Sequence, residues 1–375
     1  MTYKPCSNCR KFSLFAALLL LLQSANAQYD FKQAEQWMKQ ELGSLGGRAV
    51  LVIYKDGKIV YSHAENDMNR RQQMMGKWMA RKQGKSADDA LQDFTENTKE
   101  RIASSSKWLS AALVMSFVDE GKLSLDDTVG KFLPVMTANG KGGISIWQCL
   151  SHLTGIQTGT LKESIEAMKN ISSMDEAMEQ LAKLPMEGRP GKVFHYSNAG
   201  LQIAAAVIEK ISGKDFETLF AERIARPCGM QHTDFGHAKP ALPAGGAWST
   251  ADDYIKFLSM ILNEGQINGR QVLSKKAITE MQQNRIAKDV TIGYSPAEAG
   301  NWGYGFGEWI MDGSPVNQRS NAVSSPGLFG SFPWINLSQQ YAGFLLTFNL
   351  QSKGRNDRYT SLKKICDAAL NAGSK

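Results

Sequence analysis

The sequence predicts an α+β fold: one antiparallel sheet built from both ends of the chain, with a long, mostly helical region inserted between them. Three observations carry that expectation. Strand-like apolar runs fall in the first and last thirds, "RAVLVIYKDGKIVYSHAEN" near the start and "GLFGSFPWINL" and "QYAGFLLTFNL" near the end. Helical patterns dominate from Lys107 to about Leu262, broken by Gly/Pro loops. A helical segment lies outside the strands at each end, "FKQAEQWMKQEL" and "YTSLKKICDAALNAG". Such an order places a cleft where sheet and helical region meet.

Residues 1–27 read as a secretory signal. Lys4, Arg10 and Lys11 precede the apolar run "FSLFAALLLLL", and Ala25 and Ala27 form a small-x-small cleavage site before Gln28. The run is too short for a comfortable membrane span. Export to the periplasm or medium is therefore expected, with no transmembrane segment after signal removal. Gln28–Lys375 is expected to form one domain, with a sheet part at about 28–100 and 290–375 and a helical part at about 101–289. The formal charge of +7 includes the three signal cations, which leaves 40 Lys and Arg against 36 Asp and Glu. That near balance gives no reason to expect nucleic acid as a partner. Cys149, Cys228 and Cys366 remain after signal removal, an odd number in apolar contexts, and read as buried free thiols.

In chain order, the first strand pair is a hairpin turning at Asp56-Gly57. A basic insert follows, with six Lys/Arg and no acid between Met68 and Lys85. Its Met74, Met75, Trp78 and Met79 make an apolar stripe at helical spacing. The stripe is expected to pack a surface helix down; a lid over the cleft or a patch for anionic envelope surfaces are the alternatives.

Next comes "RIASSSKWLSAALVMSFVDEGKLSLDDTVGKFLP". A lysine directly after a serine trio at a helix start is unusual, because that position favours acidic residues. Ser104 and Lys107 are three apart and share a helix face; Ser105 and Ser106 are too close to Lys107. A serine hydroxyl becomes a good nucleophile when a neighbour takes its proton, and a lysine held neutral by burial can do so. Alone the spacing is weak: Ser361 and Lys364 match it equally well. A helix cap with a solvated lysine is the plain alternative. "FHYSNAGLQIAAAVIEK" adds Tyr196-Ser197-Asn198, the one Tyr-x-Asn of the chain, just before an apolar helix. Tyr196 can shuttle a proton there, and Asn198 can orient Lys107 and a substrate amide. No GxSxG elbow, HExxH helix or GxxxxGK[ST] loop is present, and the five histidines show no metal-ligand spacing. No cofactor or metal is expected.

With these motifs the sequence resembles the serine hydrolases of the class C β-lactamase and penicillin-binding protein type, which include D-Ala-D-Ala carboxypeptidases and esterases. The resemblance runs from about Ala49 to Asn349 through "ISIWQCLSHLTGI", "YSNAG", "RPCGMQHTDF", "PAGGAWSTADDYIKFL" and "WGYGFG". It implies a β-lactamase/transpeptidase-like fold, with terminal helices flanking the sheet. It also implies Ser104 as acylated nucleophile, Lys107 and Tyr196 as the base pair, and Asn198 as a hydrogen-bonding partner. The family's third motif, Lys-Thr/Ser-Gly or His-x-Gly, has no match after Tyr196; Ser325-Pro326-Gly327 stands in the corresponding place. There the resemblance implies that Ser325 offers a neutral hydroxyl, Gly327 keeps the backbone slim, and the Leu328 amide pairs with that of Ser104 as an oxyanion hole. Arg319 is the candidate for a replacement cation. The expected activity is that of an exported carboxylesterase or amidase on small ester, amide or peptide substrates. A β-lactamase or D-Ala-D-Ala carboxypeptidase is the alternative, and a catalytically silent binding or sensor domain the rival of another class.

Overall fold

The computed structural model describes residues 29–82, 86–160, 163, 166, 171–236, 238–351 and 353–372; the expected export signal lies outside them. Helix α1 (Lys32–Glu41) buries Ala34, Trp37 and Met38 and is followed by β1 (Arg48–Lys55) and β2 (Lys58–Asn66). The hairpin turns through Asp56 and Gly57 at φ of 52° and 78°, the left-handed pair a tight two-residue turn demands. Helices α2 (Arg70–Lys82), α3 (Ser106–Asp119), α4 (Ala199–Ser212) and α5 (Ala251–Leu262) follow, and α6 (Arg355–Ala372) closes the described chain. A short parallel pair, β3 (Val193–His195) and β4 (Thr291–Tyr294), stands apart from the main sheet. Five further strands belong to the main sheet: β5 (Gly303–Tyr304), β6 (Trp309–Ile310), β7 (Ala322–Ser324), β8 (Phe332–Asn336) and β9 (Tyr341–Thr347). They join the hairpin in one antiparallel sheet ordered β2-β1-β9-β8-β7-β6-β5. This is the expected α+β architecture, one antiparallel sheet built from both ends of the chain.

The period-two alternation of β1 sorts its side chains between two cores. Ala49, Leu51 and Ile53 meet Trp37, Met38, Tyr359, Leu362 and Cys366 from the terminal helices. Val50 and Val52 join the larger core under the helical region. Cys149, Cys228 and Cys366 are buried and unpaired.

Helix α3 is buried at every position from Ser106 to Phe117, as a helix apolar nearly all round must be. Tyr254 of α5 links it to the sheet. Its ring stacks on Phe344 of β9 at 4.6 Å, and its hydroxyl donates to the Ser105 carbonyl at 2.8 Å. The start of α3 is thereby fixed against the strands. The apolar stripe of α2 does not pack down as the sequence suggests: Met74, Met75 and Trp78 are exposed, and none lines the cleft.

Candidate active site

The three serines before Lys107 have different environments. Ala103, at φ 45°, turns the chain into a single 3₁₀ turn, Ala103–Ser105, ahead of α3. Ser105 is buried and donates to the Ser325 carbonyl at 2.7 Å, with the Ser331 hydroxyl at 2.9 Å. Ser106 is buried as well; it donates to the Ala103 carbonyl at 2.5 Å and accepts the Ala247 amide at 3.0 Å. Ser104 alone of the three lines the cleft. The flanking serines thus hold the turn in shape while Ser104 faces outward.

Lys107 is buried, and its Nζ lies 3.3 Å from Ser104 Oγ, 3.3 Å from Asn198 Oδ1 and 2.8 Å from the Ala244 carbonyl. Every one of these partners is neutral. Desolvation without a counter-anion lowers its pKa from 10.5 to about 7, so a large fraction of Lys107 is uncharged at neutral pH. Tyr196 lines the cleft with Ser104, and its ring centroid lies 4.7 Å from Lys107 Nζ. Burial raises its pKa above the usual 10, so it remains a neutral phenol. The two shifts give the pair different capacities: Lys107 can take a proton at neutral pH, and Tyr196 can pass one on.

A second layer fixes Tyr196, and sequence reasoning missed it. His152, at φ 59°, is fully buried, with its ring 4.6 Å from that of Tyr196. Its Nε2 pairs with the Tyr304 hydroxyl at 3.0 Å, and the Ser197 amide points at Nδ1 from 3.5 Å. Burial drives its pKa well below 6.5 and keeps it neutral. It therefore braces the tyrosine without adding charge. Trp309 packs against the other side of Tyr196 at 5.0 Å. The segment "SHLTGI" carried a signal for His152, its place in the resemblance, but no spacing tied it to Tyr196.

The opposite wall departs from expectation at Ser325. Strand β7 stops at Ser324, and the Ser325 hydroxyl turns inward to the carbonyls of Gly307 (2.9 Å) and Ser104 (3.3 Å). It is not among the groups that line the cleft; Pro326, Gly327 and Leu328 are. A side chain at Gly327 would collide with the Ile102 carbonyl and Ser331 Oγ, so the close approach of this turn to the serine segment requires glycine. The Gly327 amide is engaged with the Ser331 carbonyl at 2.8 Å. Arg319 does not enter the cleft either: it donates to Gln282 Oε1 at 2.8 Å and approaches Glu264 at 3.5 Å. Among the described residues the cation that lines it besides Lys107 is Arg355, unsuspected from sequence. Its guanidinium is occupied by the carbonyls of Leu328 (2.9 Å), Asn349 (3.0 Å) and Gln351 (2.8 Å), so it clamps the wall in place. Glu298 also lines the cleft, and its carboxylate is close enough to Tyr196 to help raise that residue's pKa. The cleft encloses about 200 Å³, walled by Tyr294, Trp302 and Trp309 as well as the residues above. Among the described residues no cluster of metal-ligating side chains occurs.

A serine beside a buried lysine and a tyrosine, at the seam between such a sheet and its helical region, defines a class: serine hydrolases of β-lactamase/transpeptidase-like fold. The chain belongs to the beta-lactamase family, whose profile matches residues 34–365. Among solved structures it is similar to a "putative beta-lactamase" of Bacteroides dorei, 27% identical with a TM-score of 0.74, over 92% of this chain and 99% of the other. An uncharacterized Mycobacterium tuberculosis protein is 27% identical over 66% of this chain and 74% of its own length. Esterase EstB of Burkholderia gladioli is 26% identical over 51% of this chain and 48% of the esterase, so the match spans about half of each.

Proposed function

We propose that the chain is an exported hydrolase that works through a Ser104 acyl-enzyme and prefers small neutral esters or amides. The observation that carries this reading is Lys107, buried, with no counter-anion among the described residues, and 3.3 Å from Ser104 Oγ. Neutral Lys107 takes the Ser104 proton as Oγ attacks the acyl carbon. The oxyanion develops beside the amides of Ser104 and Leu328, for which no hydrogen bond to another backbone group is found among the described residues. Tyr196 relays the proton to the departing alcohol or amine, and a water then deacylates Ser104 by the reverse path.

Substrate preference follows from charge and size. Among the described residues, the inward turn of Ser325 and the engagement of Arg355 leave no cation but the base Lys107 to meet a substrate carboxylate, and Glu298 repels one. A charge-assisted hydrogen bond of this kind contributes about 1.5–3 kcal/mol, roughly ten- to a hundredfold in affinity. The cleft is also smaller than the roughly 300 Å³ at which drug-sized sites begin. We therefore expect kcat/KM for p-nitrophenyl acetate or butyrate to exceed that for nitrocefin or penicillins by at least tenfold. Nitrocefin turnover matching that of the best ester would overturn the preference. It would favour the β-lactamase or D-Ala-D-Ala carboxypeptidase reading instead.

A further inference from the structure

Helix α2 (Arg70–Lys82) is mounted the wrong way round for a helix that merely covers a domain. Its start is locked by a reciprocal pair, the Gln72 amide on Asn69 Oδ1 at 3.0 Å and the Asn69 amide on Gln72 Oε1 at 2.9 Å. The face turned to the protein is polar or small. Gln72 donates to the Gly43 carbonyl at 2.9 Å and Gln73 to the Met68 carbonyl at 2.8 Å. A side chain at Gly76 would stand 3.3 Å from the Ala90 carbonyl, and Ala80 is buried. The face turned to water is the apolar one: Met74 is 72% exposed, Met75 51% and Trp78 49%. These three sit at i, i+1 and i+4 and form one contiguous patch. An exposed cluster of large apolar side chains on a well-anchored helix marks a contact surface.

The charges around the patch select the partner. Arg70, Arg71, Lys77, Arg81, Lys82 and Lys85 fall within the stretch from Met68 to Ala87, which contains no acidic residue. Arg70, Arg71 and Arg81 are exposed. Methionine and tryptophan at the centre of a basic helix suit the boundary between headgroups and acyl chains, with the cations on anionic headgroups. None of the patch residues lines the cleft. We propose that α2 docks the protein onto an anionic phospholipid surface, with Met74, Met75 and Trp78 entering the interface and Arg70, Arg71 and Arg81 holding the headgroups.

Sedimentation of the processed full chain with vesicles tests this. Binding to vesicles of phosphatidylglycerol and phosphatidylcholine should rise steeply with the anionic fraction and fall with salt. Pure phosphatidylcholine should retain little protein. Replacing Met74, Met75 and Trp78 by serine should weaken partitioning at least tenfold. Each of Arg70→Gln, Arg71→Gln and Arg81→Gln should weaken it up to about fivefold. The ester hydrolysis rate of each variant reports that the fold is intact, since none of these residues lines the cleft. Equal binding to neutral and anionic vesicles, undiminished binding by the serine variant, or no binding at low salt overturns the proposal. Concentration-dependent dimerisation abolished by the same substitutions, without lipid binding, also overturns it and assigns the patch to a second copy of this chain.

Discussion

Replacing Lys107 by methionine keeps the volume of the side chain and removes its charge, so stability and catalysis should move in opposite directions. The drop in pKa from 10.5 to about 7, at about 1.4 kcal/mol per factor of ten, makes the charged form about 5 kcal/mol less favourable in the folded chain. Below pH 7 the lysine is protonated in both states and the folded state carries the whole penalty. Between pH 7 and 10.5 only the unfolded chain holds the proton, so wild-type stability rises with pH across that window. Methionine lacks this dependence but leaves the Ala244 carbonyl without its 2.8 Å donor, a loss of about 1–3 kcal/mol. At pH 6 the variant should therefore be about 2–4 kcal/mol more stable than wild type. At pH 10 the advantage should be gone, a swing of about 4 kcal/mol. Urea denaturation of both proteins at the two pH values, followed by tryptophan fluorescence, reads that swing, and titrations elsewhere cancel in the comparison. Ester hydrolysis should be abolished in the variant, and wild-type kcat/KM should climb to a plateau above about pH 7 as Lys107 loses its proton. A stability difference that stays constant from pH 6 to 10 would refute the claim that Lys107 is a desolvated, uncompensated base.

Ser104→Ala should abolish ester hydrolysis with little change in stability. Ser105→Ala should retain most activity yet lose about 1–3 kcal/mol in denaturation, because its bonds to Ser325 and Ser331 are buried. Tyr196→Phe should lower kcat at least ~10²-fold, and should combine with Lys107→Met far less than additively because the two act as a unit. Ser325→Lys should destabilise the protein without raising nitrocefin turnover. The hydroxyl it replaces is buried, points at the Gly307 and Ser104 carbonyls and does not line the cleft; a clear gain in nitrocefin kcat/KM would show that the new side chain reaches it.

What could be read ahead of the structure was whatever depends on short spacing. Asp56-Gly57 between alternating strands specifies its own turn, and the i, i+3 offset brings Ser104 rather than Ser105 to Lys107. The misreadings concern direction, which distant contacts decide. Ser325 turns inward because Gly307, 18 residues away, and Ser104, 221 residues away, both present carbonyls to it. Arg355 reaches the cleft because α6 begins at Arg355, four residues ahead of its apolar pattern, beside the turn that holds Leu328. On α2 the hydrophobic stripe points to the wrong face. Gly76 and Ala80 let the helix backbone approach Ala90 closely, and no hydropathy pattern ranks that above burying two methionines and a tryptophan. The role of His152 was missed for a related reason: it braces Tyr196, and only packing reveals a brace.

The central claim is that Ser104 is acylated with Lys107 as its base, and covalent labelling tests it most directly. Intact-mass spectrometry with a fluorophosphonate at pH 8 should show one adduct per chain, placed on Ser104 by peptide mapping. It should be absent from Ser104→Ala and slowed at least ~10²-fold in Lys107→Met. Incubation with p-nitrophenyl butyrate should give a transient butyryl adduct on the same peptide that clears with turnover. Folded wild-type protein that takes no label, or takes it on another residue with equal efficiency, would contradict the account.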